Sequence, residues 1–243
     1  MMTIQLPGRV AVIVIVGLVL PLASGTTCCV AQPKESPVKT SQVSASVKLP
    51  PPEIDGGMSL NQALQKRRSI RAYVKAPLAL EELSQILWAA QGVTKRNPDL
   101  KTSPSAGATF PLETFVVVGD VVGVTAGVYR YDPSGHQLVR LFEGDVRAPL
   151  AAASMGQRMV REAPVTVVFA AQFSRTTGRY GKRGVMYVHQ ETGHAGQNLL
   201  LQVTALGLGS VAVGALDPAD VAGSLKLSKE LEVLYLFPVG RVR

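Results

Sequence analysis

The sequence predicts an α+β fold rather than a doubly wound parallel sheet. Strand-like and helix-like stretches alternate irregularly along the chain, one β-hairpin interrupts them, and no internal repeat is present. A helix is predicted over Val185–Leu206, which contains no proline and carries apolar residues on more than one face. Polar residues within it, such as His189 and Gln197, make a membrane span costly. We therefore expect this helix to be the buried centre of a soluble core.

Residues 1–57 have the composition of a targeting segment followed by a tether. An apolar run, Val10–Leu22, follows Arg9 and is shorter than the roughly 20 residues that a spanning helix needs. Residues 1–31 are therefore predicted to be a signal peptide or an N-terminal membrane anchor. Residues 32–57 are rich in Pro, Ser, Lys and Val and are predicted to be a flexible linker. The folded domain is expected over 58–243, exported to a bacterial periplasm or tethered to the membrane.

The first half of this domain contains two predicted helices and three predicted strands. Ser59 is a suitable N-cap for a short helix beginning at Leu60, and Gly92 closes a second helix that opens at Pro77. A small-residue loop, Thr102–Ala108, lets another group approach the backbone closely. Strands are predicted over Phe115–Val118 and over a hairpin formed by Gly127–Tyr131 and Gln137–Leu141.

The second half is predicted to place the central helix between core strands. A helix over Asp145–Arg161 and a core strand over Pro164–Phe169 come first, and the polar stretch Ser174–Gly184 is predicted to be an exposed loop. After the central helix, the pattern indicates a strand over Val211–Val213, a short helix over Asp217–Leu225 and a final strand over Val233–Val239.

Several classes of function are excluded by composition and motif. The net charge is +8, but the basic residues are scattered and not interleaved with aromatics, which argues against nucleic-acid binding. Glu191 and His194 have the spacing of a metal-binding pair, yet no second copy exists and no metal site is expected. Both cysteines, Cys28 and Cys29, lie in the targeting segment, and no hydrolase motif is present. Any chemistry should therefore belong to a bound cofactor.

An arginine segment, Arg67–Arg71, surrounds a serine where the first helix ends. Guanidinium groups bind phosphate with two parallel hydrogen bonds, so the segment is suited to grip a phosphate and neighbouring hydroxyls. Cations at this position also complement the negative end of a helix. The spacing alone leaves both interpretations open.

Six stretches in the same order resemble the nitroreductase superfamily of flavin enzymes, in particular its SagB-type (azoline oxidase-like) dehydrogenase branch. They are RRSIR (67–71), LEELSQILWAAQG (80–92), SPSAGATFPLETFVVV (103–118), GVYRYDPSGHQLVRL (127–141), GHAGQNLLLQVTALGLGSVAVGA (193–215) and LYLFPVGR (234–241). Together they span nearly the whole predicted domain, which makes the resemblance specific.

The resemblance implies a homodimer with FMN at its interface, in a fold whose mixed, mostly antiparallel sheet is flanked by helices. Carried onto this sequence, the residues that hold the ribityl phosphate and the pyrimidine side are Arg67, Arg68, Ser69 and Arg71, with Arg241 also reaching the phosphate. Those that line the ring, in one interpretation from the partner subunit, are Pro104, Ser105, Ala106 and Gly107. The backbone amides facing the redox-active edge are those of Leu208, Gly209 and Ser210.

One departure from the resemblance concerns catalysis. Azoline-oxidising members carry a Lys-Tyr pair before the central helix, where this chain has Arg179 and Tyr180. An arginine stays protonated and is a poor general base. This argues against azoline oxidation but leaves other two-electron redox reactions open. In such a ping-pong reaction, a nicotinamide nucleotide or another donor reduces the flavin, which then reacts with a small-molecule or peptide substrate. In that reaction, Tyr180 either donates a proton to the reduced substrate or has only a packing role. The alternative is a non-catalytic flavin-binding protein or a partner subunit of a peptide-modifying complex.

Overall fold

The computed structural model describes residues 45–97 and 99–242. The predicted targeting segment and the first part of the predicted linker lie outside the described residues. Within the described ranges, no helix is long and apolar enough to cross a membrane.

A seven-stranded sheet forms the middle layer, in the order β1-β6-β5-β4-β7-β9-β8, and each of its strand pairs is antiparallel. The inner strand β7 is buried along its whole length, which explains why Thr166 is its only polar residue. A separate two-stranded hairpin is made by β2 and β3. The strands are β1 Ser46–Lys48, β2 Val93–Lys95, β3 Leu100–Lys101, β4 Leu112–Val118, β5 Gly127–Asp132, β6 Gln137–Glu143, β7 Val165–Ala171, β8 Leu208–Ser210 and β9 Glu232–Arg241.

Helices cover both faces of the sheet. Alternate residues of β4 point to opposite faces: Val116 packs in one core with α2 and α6, and Val117 packs in the other with α3, α4 and α7. The helices are α1 Leu60–Lys66, α2 Leu80–Gln91, α3 Arg147–Ala153, α4 Arg158–Glu162, α5 Ser174–Tyr180, α6 Arg183–Ala205 and α7 Pro218–Ser224, with a 3₁₀ turn at Ala106–Ala108. The predicted α+β class with a mostly antiparallel sheet and flanking helices is confirmed.

The central helix α6 buries one stripe in the single chain rather than its whole circumference. Val188, Ala195 and Leu199 are fully buried, whereas Val185 and Met186 are 43% and 44% exposed. As predicted, the helix ends before Gly207, whose φ of 71° suits the left-handed turn.

The prediction of an exposed loop over Ser174–Gly184 is wrong, because most of this stretch forms helix α5. Thr176 is buried, and the backbone of Thr177 lies so close to Gly184 that a Cβ there would come within 2.9 Å of it. This packing against the start of α6 overrides the weak helix propensity of Ser, Thr and Gly.

Two other predicted elements also differ from the structure. The helix predicted over Asp145–Arg161 is broken into α3 and α4 by Met155 and Gly156, which have φ of 55° and 69°. The strand after α6 is Leu208–Ser210, and Val213 makes only an isolated bridge to Leu236.

Part of the predicted linker belongs to the sheet. Ser46–Lys48 pairs with β6, and Leu49 is only 3% exposed. The Pro50 carbonyl oxygen lies 2.8 Å from His136 Nε2 and also accepts from the Ser84 hydroxyl. Pairing with an open strand edge compensates here for a composition that otherwise favours disorder.

Candidate functional site

The predicted site residues form two groups at different positions along α6. The arginine segment lies against β8, directly after the C-terminal end of the helix. The small-residue loop faces the middle of the helix, from Glu191 to Asn198, and also contacts α5. The helix has 23 residues and is therefore roughly 33 Å long.

Backbone pairing holds the arginine segment on the edge of the sheet. Ser69 is bridged to Ser210 in parallel register, and the Ile70 amide donates to the Ser210 carbonyl at 2.9 Å. The neighbouring Tyr73 hydroxyl donates to the Pro238 carbonyl at 2.9 Å. A Cβ on Gly209 would lie 2.8 Å from Ile70 Cγ2, so the close approach of the segment requires glycine there.

The arginines of this segment carry charge that no acidic side chain of the described residues neutralises. Arg68 and Arg71 are exposed and Arg67 is half-buried, and none has a carboxylate within 4.0 Å in the part of the chain that the structure describes. Arg68 Nη1 donates to the carbonyls of Gln65 and Arg67 at the end of α1. Arg68 therefore complements the helix terminus and keeps its other nitrogens free.

Arg241 is engaged differently from the other predicted phosphate ligands. Its Nη1 and Nη2 bind the Glu82 carboxylate at 3.1 and 2.9 Å, and its Nε donates to the Pro77 carbonyl at 3.0 Å. Glu82 also accepts from the Ala79 amide at the start of α2. The arginine predicted to reach a phosphate thus ties the last strand to a helix.

The residues Leu208–Ser210, whose backbone amides are predicted to face the flavin, form the edge strand β8. Leu208 and Ser210 are 5% and 2% exposed, and all three residues pair with β9. On its other side, β8 is bridged to the arginine segment through Ser69 and Ser210. Exposed residues follow at Ala212, Gly214 and Ala215. The role of the β8 amides toward a flavin stays a prediction.

The small-residue loop turns tightly against α5. Gly107 has a φ of 58°, and its carbonyl accepts a hydrogen bond of 3.1 Å from Arg179 Nη1. The Ser105 hydroxyl accepts from the Phe110 amide at 2.9 Å, which closes the turn. Pro104 and Gly107 are exposed, and Ser105 and Ala106 are half-buried.

Arg179 and Tyr180 lie against this loop within one chain. A Cβ on Gly107 would overlap the Tyr180 hydroxyl and lie 2.7 Å from Arg179 Nη1. The Tyr180 ring stacks edge-to-face on Tyr187 with centroids 5.2 Å apart. The predicted catalytic pair and the predicted ring-lining loop are therefore brought together.

Comparison with known proteins identifies the family. A sequence profile described as the Nitroreductase family matches residues 64–241. The chain is 50% identical to MJ1384 of Methanocaldococcus jannaschii, named as a candidate nitroreductase, over 76% of this chain and 91% of that protein.

The chain belongs to the nitroreductase family.

Two further relatives give the range of similarity within the family. The crystal structure of a candidate nitroreductase from Ralstonia eutropha JMP134 superposes with a TM-score of 0.71 at 28% identity, covering 82% of this chain and 90% of that one. The trifolitoxin-processing protein TfxB of Rhizobium leguminosarum bv. trifolii is 34% identical over 44% of this chain and 30% of its own length.

In this nitroreductase-family chain, the burial of Glu191 was not expected from the sequence, where this residue stands out only as half of a rejected metal pair. Glu191 is 2% exposed, whereas His194 is exposed. Burial raises the pKa of Glu191 to about 7, although the nearby Ser105 hydroxyl and Lys101 ammonium lower it. The sequence did contain a signal for this burial. Glu191 lies four residues before Ala195 and eight before Leu199, which places its carboxylate on the apolar face of the helix.

Proposed function

We propose that this chain is an FMN-dependent oxidoreductase. The observation that carries the proposal is the arginine segment, where three arginines and Ser69 lie within five residues without a neutralising acid among the described side chains. A phosphate and the hydroxyls of a ribityl chain match these donors. The small residues of Pro104–Gly107, exposed at Pro104 and Gly107 and half-buried between them, suit the flat face of a ring system.

We propose that the working form is a homodimer. Ser105 faces Glu191 in the first half of α6, and the arginine segment lies beyond its last residue, roughly 20 Å further along the axis. One FMN would have to extend along most of the helix to touch both groups in one chain. Two copies of α6 packed antiparallel bring the two groups together. The exposed stripe of Met186, Gln190, Gly193 and Gln197 is the surface for this contact.

Bound FMN supplies a ring that accepts two electrons from a donor and returns them to an acceptor. In the proposed reaction, Arg179 remains protonated, binds the Gly107 carbonyl and holds positive charge beside the ring-lining loop. Tyr180 carries the hydroxyl nearest to that loop and donates a proton to the reduced substrate.

The substrate proposed is a small molecule or a peptide, and a nicotinamide nucleotide is the donor. The resemblance to SagB-type dehydrogenases and to a trifolitoxin-processing protein supports a peptide acceptor. Because Arg179 is a poor base, we propose two-electron reduction or oxidation other than azoline oxidation.

The visible absorption spectrum of the purified full-length protein tests this proposal. We expect a yellow protein that binds one FMN per chain and is bleached by NADH or NADPH in the absence of oxygen. A protein that stays colourless after incubation with FMN would contradict the cofactor assignment. Bound FMN that no nicotinamide nucleotide, dithionite or other donor reduces would instead favour the flavin-binding subunit.

Two arginine variants test the phosphate grip. We expect Arg68→Ala and Arg71→Ala each to lower FMN affinity by about tenfold, since a hydrogen bond to a charged group contributes about 1.5–3 kcal/mol. Arg158→Ala is the matched control, because Arg158 is exposed and pairs only with Glu162 on α4. Unchanged affinity in both variants, measured by titration of the flavin absorbance, would contradict the assigned role.

A charged side chain on the exposed stripe of α6 tests the dimer. Nothing lies within 4 Å of a Cβ built on Gly193 or on Gly223 in α7. Gly193→Arg is expected to give a folded monomer by light scattering that no longer retains FMN. Gly223→Arg, the control at an equally open helical glycine, should remain dimeric and yellow. A Gly193→Arg variant that remains dimeric would contradict the proposed interface.

We also propose that residues 1–31 direct export or membrane attachment. Fractionation of a bacterial host should place the full chain in the periplasm or membrane, and a chain that lacks only residues 1–31 in the cytoplasm. Equal distribution of both forms would contradict the proposal.

A further inference from the structure

A carboxyl group lies beneath the loop that is proposed to line the flavin. Glu191 is 2% exposed, and its Oε1 has no hydrogen-bond partner in the described part of the chain. A buried polar atom without a partner costs free energy of folding, and such atoms in native proteins call for an explanation. Nothing in the proposed reaction uses this group directly.

Beyond the Thr102 amide, which donates to the Gly92 carbonyl at 2.9 Å, the loop is fastened to its surroundings mainly by side chains. Asn198 Nδ2 on α6 donates to the Thr102 carbonyl at 3.3 Å. Gln91 Nε2 at the end of α2 donates to the Ser103 hydroxyl at 2.7 Å. Lys101 Nζ donates to the Gln91 side-chain oxygen at 3.2 Å. Polar contacts therefore fix the first half of the loop.

Ser105 connects the second half of the loop to Glu191. Its hydroxyl oxygen accepts from the Phe110 amide, and the hydroxyl faces the Glu191 carboxyl. Since a hydroxyl both donates and accepts, one side chain couples the turn at Gly107 to the central helix. Removal of the carboxyl would take away the polar group on α6 that the Ser105 hydroxyl faces.

We propose that Glu191 is a positioning residue for the flavin-lining loop: against Ser105 and Lys101, it holds Ser103–Gly107 on α6 in the conformation that receives the cofactor. The part of this proposal that concerns the cofactor rests on the proposed function. The part that concerns the loop can be measured without FMN.

The position of Glu191 also makes the loop sensitive to pH. The charged group that faces it is Lys101 on β3, and the charges around Lys101 are Glu113 on β4, Arg175 on α5 and Asp99. Burial by the closed loop raises the pKa of Glu191 to about 7 from 4.5. Closing the loop therefore takes up a proton, and the closed form becomes less favoured as the pH rises through 7.

Hydrogen–deuterium exchange of the FMN-free full-length protein tests the loop. After correction for intrinsic exchange, we expect protection of amides 103–110 to fall about tenfold between pH 6 and pH 8.5, from the linkage of the two pKa values. Glu191→Gln keeps the size and hydrogen-bonding capacity of the side chain and should remove this dependence. Glu191→Ala should lower protection at both pH values.

Glu113→Gln is the matched control, because Glu113 also faces Lys101 but is paired with Arg175 at 2.7 Å. It should keep the tenfold fall in protection. Equal pH dependence in wild type and Glu191→Gln, or none in wild type, would overturn the proposal. Carboxyl ¹³C NMR gives an independent measurement: titration of Glu191 near pH 7 is expected, and titration near 4.5 would also overturn it.

FMN titration separates this proposal from the proposed function. Wild type that fails to bind FMN at pH 6 contradicts the flavin assignment, whatever the exchange data show. If wild type binds FMN, its affinity should weaken between pH 6 and pH 8.5 by about tenfold more than that of Glu191→Gln. An identical change in both proteins would show that Glu191 does not position the loop for the cofactor.

Discussion

The arginine segment and the small-residue loop are proposed to hold the same cofactor, but different interactions fix them in place. Backbone bridges and close glycine contacts attach the arginine segment to the sheet, with its charges facing solvent. The loop is attached through side chains, including the buried carboxyl of Glu191. The first region should therefore respond to changes in packing, and the second to changes in protonation.

The largest expected difference between the two regions is at Glu191. Because the folded-state pKa is raised from 4.5 to about 7, its contribution to stability is complete below pH 4.5 and is lost as the pH rises through 7. Glu191→Gln should therefore unfold at higher urea concentration than wild type at pH 8, by up to roughly 3 kcal/mol, with little difference at pH 4.5. A variant less stable than wild type at pH 8 would contradict the burial argument.

A packing change at the sheet edge is expected to have the next largest effect. A Cβ on Gly240 would lie 2.6 Å from Cγ of the Tyr73 ring, which packs over β9. Gly240→Ala should lower the free energy of unfolding by about 2 kcal/mol at every pH, because the ring must shift. Gly223→Ala, at an open helical position, should be neutral or slightly stabilising by thermal denaturation.

A smaller effect is expected when the tie between the arginine segment and β9 is cut. Tyr73→Phe removes the hydroxyl that donates to the Pro238 carbonyl and should cost about 1 kcal/mol in urea unfolding. Exchange of the Ile70 amide should increase, while exchange of the loop at 103–110 should not. Equal changes in both regions would show that they are coupled rather than independently held.

The smallest effect is expected at Arg241. Its ion pair with Glu82 is partly exposed, so Arg241→Gln should change stability by less than about 1 kcal/mol. Since Glu82 already binds this guanidinium, FMN affinity should fall less than in Arg68→Ala. If Arg241→Gln lost more FMN affinity than Arg68→Ala, Arg241 would instead be the main phosphate ligand.

The sequence was most informative where structure depends on local pattern. The caps at Ser59 and Gly207, the buried run of β7 and the hairpin of β5 and β6 were all anticipated. The helix α5 was not, because its stability comes from packing of Thr176 and Thr177 against α6. Pairing of Ser46–Lys48 with β6 was missed for the same reason, since it joins residues far apart in the chain.

In the candidate site too, local motifs were predictable from the sequence, whereas contacts between distant residues were not. The arginine segment and the loop were found as contiguous motifs, and the structure places Arg179 and Tyr180 beside Gly107 as one group. The burial of Leu208–Ser210 and the pairing of Arg241 with Glu82 were not anticipated, because they depend on residues far away in the sequence. Glu191 was overlooked because its environment is created by Lys101 and Ser105, which lie far away in sequence.

The arginine segment has a second consequence that concerns solubility. It covers the outer edge of β8, and the opposite sheet edge is closed by the three-residue strand β1 with Lys48. If Ser69 and Ile70 detach, the outer backbone groups of β8, including the Ser210 carbonyl, become available to a strand of another molecule. Variants that loosen this segment should therefore aggregate before they unfold, and a ligand that holds the arginines in place should keep the protein in solution.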